Sequence, residues 1–271
     1  MNHSPIASVQ SVPNATTPEQ VTRGEYLARI GNCAGCHTAR GGEPYAGGRA
    51  VDTPFGAGYA SNLTPDTTSG IGTWSADAFY RAIHEGRSQD GHLLYPAFPY
   101  PNLSLTTRED TDAIFAFLIN RIGSVNRANS EHALAFPYNN AYALAAWRLV
   151  YFKPAAQQTD ASQSAQWNRG AYLVQGLAHR GACHSTRNVL GAPVAGHTYD
   201  GAMMPGNDWY APSLTDKREA TRQGWWVTLI KTRVAANCRP LDADAEPIDS
   251  YWAESPCRAH RMKESNLFSS N

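Results

Sequence analysis

Three stretches of the chain carry apolar residues at the spacing of an amphipathic helix, each behind a residue that can cap a helix start. The three caps are Thr17, Ser75 and Thr107. Thr17 is followed by Pro18, which suits the first helical position, and Thr107 can form a capping box with Asp110. The apolar stripes are Tyr26, Leu27 and Ile30; Phe79, Ala82 and Ile83; and Ile114, Phe117 and Leu118. Gly31 and Gly123 are placed to end the first and third helices, and a Gly-rich loop lies between Gly41 and Gly58. This pattern predicts an all-α fold.

The chain also repeats itself. The first landmark is Arg23-Gly24-Glu25-Tyr26-Leu27, which returns as Arg169-Gly170-Ala171-Tyr172-Leu173. The second is Cys36-His37, which returns as Cys183-His184. The third is Ala60-Ser61-Asn62-Leu63-Thr64, which returns as Ala211-Pro212-Ser213-Leu214-Thr215, with Trp74 and Trp225 each following the threonine. Three landmarks in one order indicate a tandem duplication. We expect a polar N-terminal tail at 1–19, a first domain at 20–125, a linker at 126–165 and a degenerate or truncated second domain at 166–271.

Composition narrows the class of protein. The 271 residues are 42% hydrophobic and 17% charged, which is ordinary for a globular protein with room for two domains. A formal net charge of zero gives no electrostatic reason to bind nucleic acid or an anionic membrane surface. No stretch has the apolar length of a transmembrane helix, and residues 1–20 lack the apolar core of a signal peptide.

One pentapeptide carries candidate chemistry. Residues Cys33-Ala34-Gly35-Cys36-His37 match the c-type haem attachment sequence, in which two thiols bind the haem vinyl groups and the histidine binds the iron. Half of a zinc site, a redox dithiol and a chance match are the alternatives. Zinc would need two more Cys or His ligands nearby, and a redox dithiol would need a βαβ pattern. The motif therefore predicts covalently bound haem c, held by Cys33, Cys36 and His37.

The chain resembles the cytochrome c subunits of bacterial membrane-associated dehydrogenases of the alcohol, gluconate, aldehyde and nicotinate type. The matching segments of the first repeat are residues 23–29, 33–38, 62–65, 72–75, 91–92, 94–100 and 107–110. Those of the second repeat are residues 169–173, 181–184, 187–188, 190–193, 209–212 and 214–215. The resemblance implies tandem class I cytochrome c-like domains that shuttle electrons and perform no substrate chemistry. It also implies a dehydrogenase catalytic subunit as donor, quinone or a terminal oxidase as acceptor, and a location in the periplasm or on the periplasmic face of the inner membrane.

The second repeat departs from that family pattern. Arg180 stands where the family has the first attachment cysteine, so Cys183 can form one thioether at best. We expect Cys183 and His184 to be a weaker haem site than the first, with His184 as the iron ligand. Beyond about Arg218 the resemblance fades, and our hypothesis is that a frameshift or truncation produced this tail, in which Cys238 and Cys257 could form a disulfide.

The sixth ligand of the first haem also departs from the family pattern. The family offers a methionine near two positions that here hold Phe98 and Thr106. Met203 and Met204 precede Leu214-Thr215, whereas the family's ligand follows that landmark, and His84 and His92 are the remaining strong-field candidates of the first domain. Three functions stay open at this point: an electron carrier, a five-coordinate haem protein that binds small ligands or acts as a weak peroxidase, and the product of a decaying gene.

Overall fold

The computed structural model describes residues 16–204 and 210–216. The chain divides into two compact units, residues 1–222 and 223–271, and the second unit lies wholly outside the described residues. The helices of the first unit are α1 (Pro18–Ile30), α2 (Cys33–His37), α3 (Ala76–Glu85), α4 (Tyr100–Leu103), α5 (Arg108–Arg121), α6 (Ala141–Tyr151), α7 (Ala165–Tyr172) and α8 (Gly181–His184). Its strands are β1 (Ala50–Thr53), β2 (Gly56–Tyr59), β3 (Ala133–Leu134), β4 (Ala202–Met203) and β5 (Tyr210–Ala211). The predicted tail and Cys238 and Cys257 fall among the residues that are not described.

The prediction of an all-α fold is wrong, because part of the Gly-rich loop is a sheet. Strands β1 and β2 form an antiparallel hairpin whose register runs from Ala50 opposite Tyr59 to Thr53 opposite Gly56. Gly56 has a φ of 117°, a conformation that side chains oppose, and it sits where the hairpin turns. Strand β3 joins β2 from the far side, and β4 pairs with β5 in a second small sheet. The β2–β3 pairing links residues far apart in the sequence, whereas β1–β2 and β4–β5 are local hairpins, and helical periodicity reveals none of the three.

The predicted helix starts are confirmed. The hydroxyl oxygens of Thr17, Ser75 and Thr107 accept hydrogen bonds from the amides of Gln20, Ala78 and Asp110, at 3.2, 3.1 and 3.2 Å. The first helix ends before Gly31 as predicted, whereas α5 ends at Arg121, before Gly123 is reached. None of the described helices combines the length and hydropathy of a membrane-spanning segment.

The main core lies where α1 crosses α5. A methyl group at Gly24 would lie only 1.8 Å from the backbone oxygen of Ala113, so the two helices meet backbone to backbone at this glycine. The predicted apolar stripes line this contact, and the buried cluster includes Leu27, Phe79, Ile114, Phe117 and Leu118. Burial of these side chains supplies most of the apolar driving force for the first repeat.

The second repeat packs against this core through α7 and the π-helical turn Leu173–Leu177 that follows it. Cys183 lies ten positions after Leu173, whereas its first-repeat counterpart Cys36 lies nine positions after Leu27. A π-helical turn has a wider ring of hydrogen-bonded residues than an α-helical turn and can therefore absorb a one-residue insertion. The insertion is thus taken up inside the helix.

A buried carboxylate joins the two repeats. Asp110, 1% exposed at its side chain, accepts from Arg23 Nη2 at 2.5 Å, from Arg169 Nη1 at 3.2 Å and from the Tyr172 hydroxyl at 2.7 Å. Arg23 and Arg169 occupy the same position in the two repeats. The capping-box prediction for Thr107 and Asp110 is therefore only half right. The Thr107 hydroxyl caps α5 by accepting from the Asp110 amide, as predicted. The Asp110 side chain, however, binds the three partners above, and the Thr107 amide donates to the Tyr172 hydroxyl instead.

Candidate functional site

The haem-attachment sequence forms a single helical turn, α2, directly after α1. Asn32 precedes it in a left-handed conformation, with a φ of 50°, and this reverses the chain between the two helices. Cys33 and Cys36 lie on the same turn as free thiols. Burial raises the pKa of both thiols, that of Cys33 to about 12, so both remain protonated at neutral pH.

His37 is held in one tautomer. Its Nδ1 lies 2.7 Å from the backbone oxygen of Ser61, and because a carbonyl can only accept, Nδ1 must carry the proton. Nε2 is then left with a free lone pair. Burial lowers the pKa of His37, which keeps the ring neutral. A neutral imidazole whose second nitrogen donates to a carbonyl is the usual state of a metal-binding histidine.

The second repeat builds the same arrangement. His184 Nδ1 lies 2.8 Å from the backbone oxygen of Pro212, the counterpart of Ser61, so the same argument leaves Nε2 of His184 available. Cys183 is a half-buried free thiol one residue before it, and burial raises its pKa. Arg180, at the position of Cys33, is exposed. The structure thus brings Cys183 and His184 together as it brings Cys36 and His37 together.

A further set of matched contacts was not predicted from the sequence. Tyr45 and Tyr199 have φ values of 62° and 66°. Their amides donate to the hydroxyl oxygens of Thr38 and Ser185 at 3.1 Å each, and their carbonyls accept from the amides of Leu63 and Leu214 at 2.8 Å each. Gly47 and Gly201 donate to the carbonyls of His37 and His184 at 2.8 and 2.9 Å. The signal is a Tyr-x-Gly triplet after each Cys-His pair, hidden by loops of unequal length.

Asn62 fixes the segment that supplies the Ser61 carbonyl. Its side-chain oxygen accepts from the Thr64 amide at 2.9 Å, and its side-chain nitrogen donates to the carbonyl of Val125 at 2.8 Å. Its counterpart Ser213 accepts from the amides of Thr215 and Asp216 at 3.2 and 2.9 Å. In both repeats a buried polar side chain therefore organises the turn next to the histidine partner and reaches a neighbouring segment: Asn62 donates to the Val125 carbonyl, and the Ser213 hydroxyl donates to the Tyr199 carbonyl at 3.2 Å.

The surroundings of α2 fit a flat apolar cofactor. Side chains that are only partly buried pack around the core cluster beside Cys33; they include Ala34, Leu63, Trp74, Ile83 and Phe98. Two thiols, a neutral imidazole and apolar side chains that are only partly buried are the donor set and the kind of lining that haem c requires. The residues present therefore fit the group that the motif predicts.

The other candidate ligands lie in other settings. His84 stacks on the ring of Tyr80 with centroids 5.0 Å apart, and its buried Nδ1 has no hydrogen-bond partner among the described residues. His92 is largely exposed, with Nδ1 2.6 Å from Asp90 Oδ1. Met203 is 58% exposed on β4, and Thr106 is buried at the turn before α5.

Comparison with known proteins agrees with the resemblance seen in the sequence. The chain is 46% identical over 193 residues to a nicotinate dehydrogenase subunit of Pseudomonas putida, an alignment that covers 71% of this chain and 16% of that protein. It is 40% identical over 206 residues to the gluconate 2-dehydrogenase cytochrome c subunit of Pantoea cypripedii, covering 72% of this chain and 46% of that protein. No family model matches the chain.

A shorter relative decides the family. The chain is 33% identical over 201 residues to a dihaem c-type cytochrome of Cereibacter sphaeroides, and the alignment covers 72% of this chain and 67% of that protein. The chain belongs to this cytochrome c family, together with the cytochrome c subunits of the dehydrogenases. It spans less than half the length of the two dehydrogenase relatives described above.

Proposed function

We propose that the chain is an electron-transfer cytochrome whose first repeat holds haem c through Cys33, Cys36 and His37. The observation that carries the proposal is the hydrogen bond between His37 Nδ1 and the Ser61 carbonyl, since it leaves Nε2 ready to bind iron beside the two thiols. When bound, haem c supplies an iron that accepts and releases single electrons. Family membership supports the same function.

The residues of the chain have separate tasks in this proposal. Cys33 and Cys36 tether the cofactor, and each addition of a thiol to a vinyl group forms one C–S bond and moves the thiol proton to the neighbouring carbon. His37 binds the iron, and the Ser61 carbonyl orients its ring. The partly buried apolar side chains around Cys33 exclude water from the cofactor. The domain division proposed for this task is 20–125 for the first haem domain, 126–165 for the linker and 166–271 for the second domain.

Cys183 and His184 form a proposed second haem site with a single thioether. The hydrogen bond from His184 to Pro212 reproduces the arrangement at His37, which supports iron binding. Arg180 has no thiol, so the second thioether of a normal site cannot form. We expect this site to retain haem less completely than the first, because one covalent link and one axial bond must hold the cofactor.

The proposed partner is the catalytic subunit of a membrane-associated dehydrogenase, because relatives of the chain are subunits of nicotinate and gluconate dehydrogenases. The chain would accept electrons from that partner and pass them to quinone or a terminal oxidase, without acting on the substrate. Since bacteria attach c-type haem outside the cytoplasm, the proposed location is the periplasm or the periplasmic face of the inner membrane.

The test is the mass and absorption spectrum of the full chain, exported by an added leader into a periplasm that matures c-type haem. We expect covalent haem that survives denaturation. Cys33→Ala/Cys36→Ala should lose the covalent haem of the first repeat, and His37→Ala should change the absorption spectrum of that haem, because the iron loses its imidazole ligand. His197→Ala, which changes an exposed histidine that is not a candidate iron ligand, is the control. Full covalent haem in the double cysteine variant would contradict the assignment.

Haem content per chain tests the second site. His184→Ala and Cys183→Ala should lower it below the wild-type value without changing the spectrum of the first haem, whereas Arg180→Cys should raise it. A wild-type content of one haem, unchanged in all three variants, would restrict the function to the first repeat.

The sixth position of the first haem is proposed to lack methionine, because Phe98 and Thr106 carry no thioether. The oxidised protein should therefore show no far-red iron-to-sulfur band, and the reduced protein should bind carbon monoxide unless His84 or His92 occupies the site. A clear sulfur band without carbon monoxide binding would contradict this ligand assignment and leave the electron-transfer function intact.

A further inference from the structure

Leu177 of the second repeat lies beside the attachment cysteine of the first. A methyl group at Gly31 would lie 3.2 Å from Leu177 Cδ1 and 3.5 Å from Cys33 Sγ, so both atoms flank one point at the end of α1. Leu177 is 2% exposed and belongs to the same buried cluster as Leu27 and Phe117 of the first repeat. A side chain of one repeat is thus built into the core of the other, next to a haem tether.

The inserted residue of the second repeat explains how Leu177 reaches this place. Leu177 is the last residue of the π-helical turn that absorbs the insertion. Contacts on both sides hold the turn: the Gln175 carbonyl accepts from Asn102 Nδ2 at 3.3 Å, and a methyl at Gly176 would lie 3.2 Å from Leu105 Cβ. The turn is therefore seated on the first repeat, and Leu177 is fixed in position.

We propose that Leu177 shields the haem edge tethered by Cys33 from water and thereby raises the reduction potential of the first haem. The proposal rests on the haem site assigned above. The oxidised haem carries one more positive charge than the reduced haem, and a charge is less stable where apolar groups replace water. Removal of an apolar cover should therefore favour the oxidised form, since solvent exposure is one of the factors that set a haem potential.

The first experiment measures the midpoint potential of the haem-loaded full chain. Leu177→Ala should shift the potential of the first haem to a lower value while its covalent mass and absorption spectrum stay unchanged, and Leu177→Val should give a smaller shift in the same direction. Gly31→Ala/Leu177→Ala should recover part of the shift, because the new methyl fills the space next to Cys33. Tyr172→Phe is the control, since it weakens the contact between repeats at Asp110 without uncovering Cys33.

The second experiment uses the haem-free full chain and follows alkylation of each cysteine by mass. Leu177→Ala should increase the alkylation rate of Cys33 several-fold and leave that of Cys183 unchanged, whereas Tyr172→Phe should change neither. Absence of covalent haem in the wild type would count against the proposed function alone, because this readout needs no haem. An unchanged Cys33 rate in both Leu177 variants, or an equal potential shift in Tyr172→Phe and Leu177→Ala, would overturn the role of Leu177.

Discussion

In the first repeat, His37 sits on the helical turn that follows α1, and the segment that supplies its Ser61 carbonyl partner is tied through Asn62 to Val125. In the second repeat, His184 sits on the same turn, with a matching histidine-to-carbonyl bond. The motif glycine differs, however: Gly24 touches the backbone of α5, whereas a methyl at Gly170 would meet no described atom within 4 Å. Within the described residues, the second repeat thus forms the same histidine turn without a contact like that between Gly24 and α5.

The second repeat is stabilised by contacts with residues of the first repeat. Arg169 and Tyr172 bind Asp110, which already serves Arg23, and Leu177 enters the first repeat's core. One carboxylate therefore serves the same arginine position of both repeats. Within the described residues, the first repeat supplies all but one of the buried residues of the shared core, and residues 165–216 of the second repeat depend on that core. Variants at equivalent positions should behave differently, and the size of that difference measures the dependence.

The largest difference is expected at the motif glycines. Gly24→Ala places a methyl 1.8 Å from the Ala113 oxygen and 2.9 Å from Phe117 Cβ, and a backbone oxygen cannot move aside as a side chain can. The helices must separate, which should lower the free energy of unfolding by at least ~3 kcal/mol. Urea unfolding followed by circular dichroism measures the loss. A Gly24→Ala variant as stable as the wild type would show that α1 and α5 do not cross at this residue.

Asp110→Asn should have the next largest effect, about 2 kcal/mol of unfolding free energy. The amide cannot accept from three donors as the carboxylate does, but Arg23 and Arg169 are about two-fifths exposed, so water screens the charges left behind. Asp112→Asn is the matched control, because its partner Arg108 lies on the same helix surface, and it should cost less than ~1 kcal/mol. If Asp110→Asn and Asp112→Asn lowered the free energy of unfolding equally, Asp110 would not stabilise the contact between the repeats.

The acid limb of stability should depend on the same carboxylate. Burial alone would raise the pKa of Asp110, but hydrogen bonds from Tyr172 and Arg23 and the charges of Arg23 and Arg169 outweigh it and leave the pKa below its ordinary value. The folded state then releases this proton more readily than the unfolded state. Its stabilising effect is complete above the unfolded pKa of about 4 and is lost as the pH falls through the folded pKa. The wild type should lose stability faster than Asp110→Asn on acidification below about pH 4, as urea unfolding at a series of pH values would measure.

A smaller effect is expected when the first repeat receives the second repeat's residue at Asn62. Asn62→Ser keeps a hydroxyl near the Thr64 amide but loses the bond to the Val125 carbonyl, and the cost should be about 1 kcal/mol. Thermal unfolding measures it, with Asn126→Ser as a control that stays within ~0.5 kcal/mol of the wild type. If Asn62→Ser were as stable as the wild type, serine would stabilise this turn as well as asparagine does.

Local chemistry made much of this molecule predictable from sequence. The caps at Thr17, Ser75 and Thr107 and the stripes behind them predict α1, α3 and α5, because hydrogen-bonding side chains and apolar spacing act within a few residues. The motif predicts the pairing of Cys36 with His37, and the repeat predicts that of Cys183 with His184. Two features were missed: the local hairpin closed at Gly56, which lies in a Gly-rich stretch that predicts a loop, and strand β3, whose partner is distant in the sequence.

The contact between the repeats could not be derived from sequence for the same reason. The spacing of Asp110 from Thr107 predicts that Asp110 is the second half of a capping box. In the structure its carboxylate instead accepts hydrogen bonds from three residues of α1 and α7, namely Arg23, Arg169 and Tyr172. The extra residue before Cys183 is visible when the two repeats are aligned, but only the structure reveals that a π-helical turn absorbs it and directs Leu177 into the neighbouring core.

The smallest predicted effect completes the comparison of the glycines. Gly170 lies inside α7, and a methyl group there would meet no described residue within 4 Å, so Gly170→Ala should bring no clash and should reduce the conformational freedom of the unfolded chain. Alanine also has the higher helix propensity, and the variant should match the wild type or exceed it by up to ~1 kcal/mol. Urea unfolding of both variants measures this difference: the free energy of unfolding should fall in Gly24→Ala and should stay the same or rise in Gly170→Ala. A loss at Gly170 as large as that at Gly24 would mean that a helix crosses α7 there too, and the second repeat would then have a core of its own.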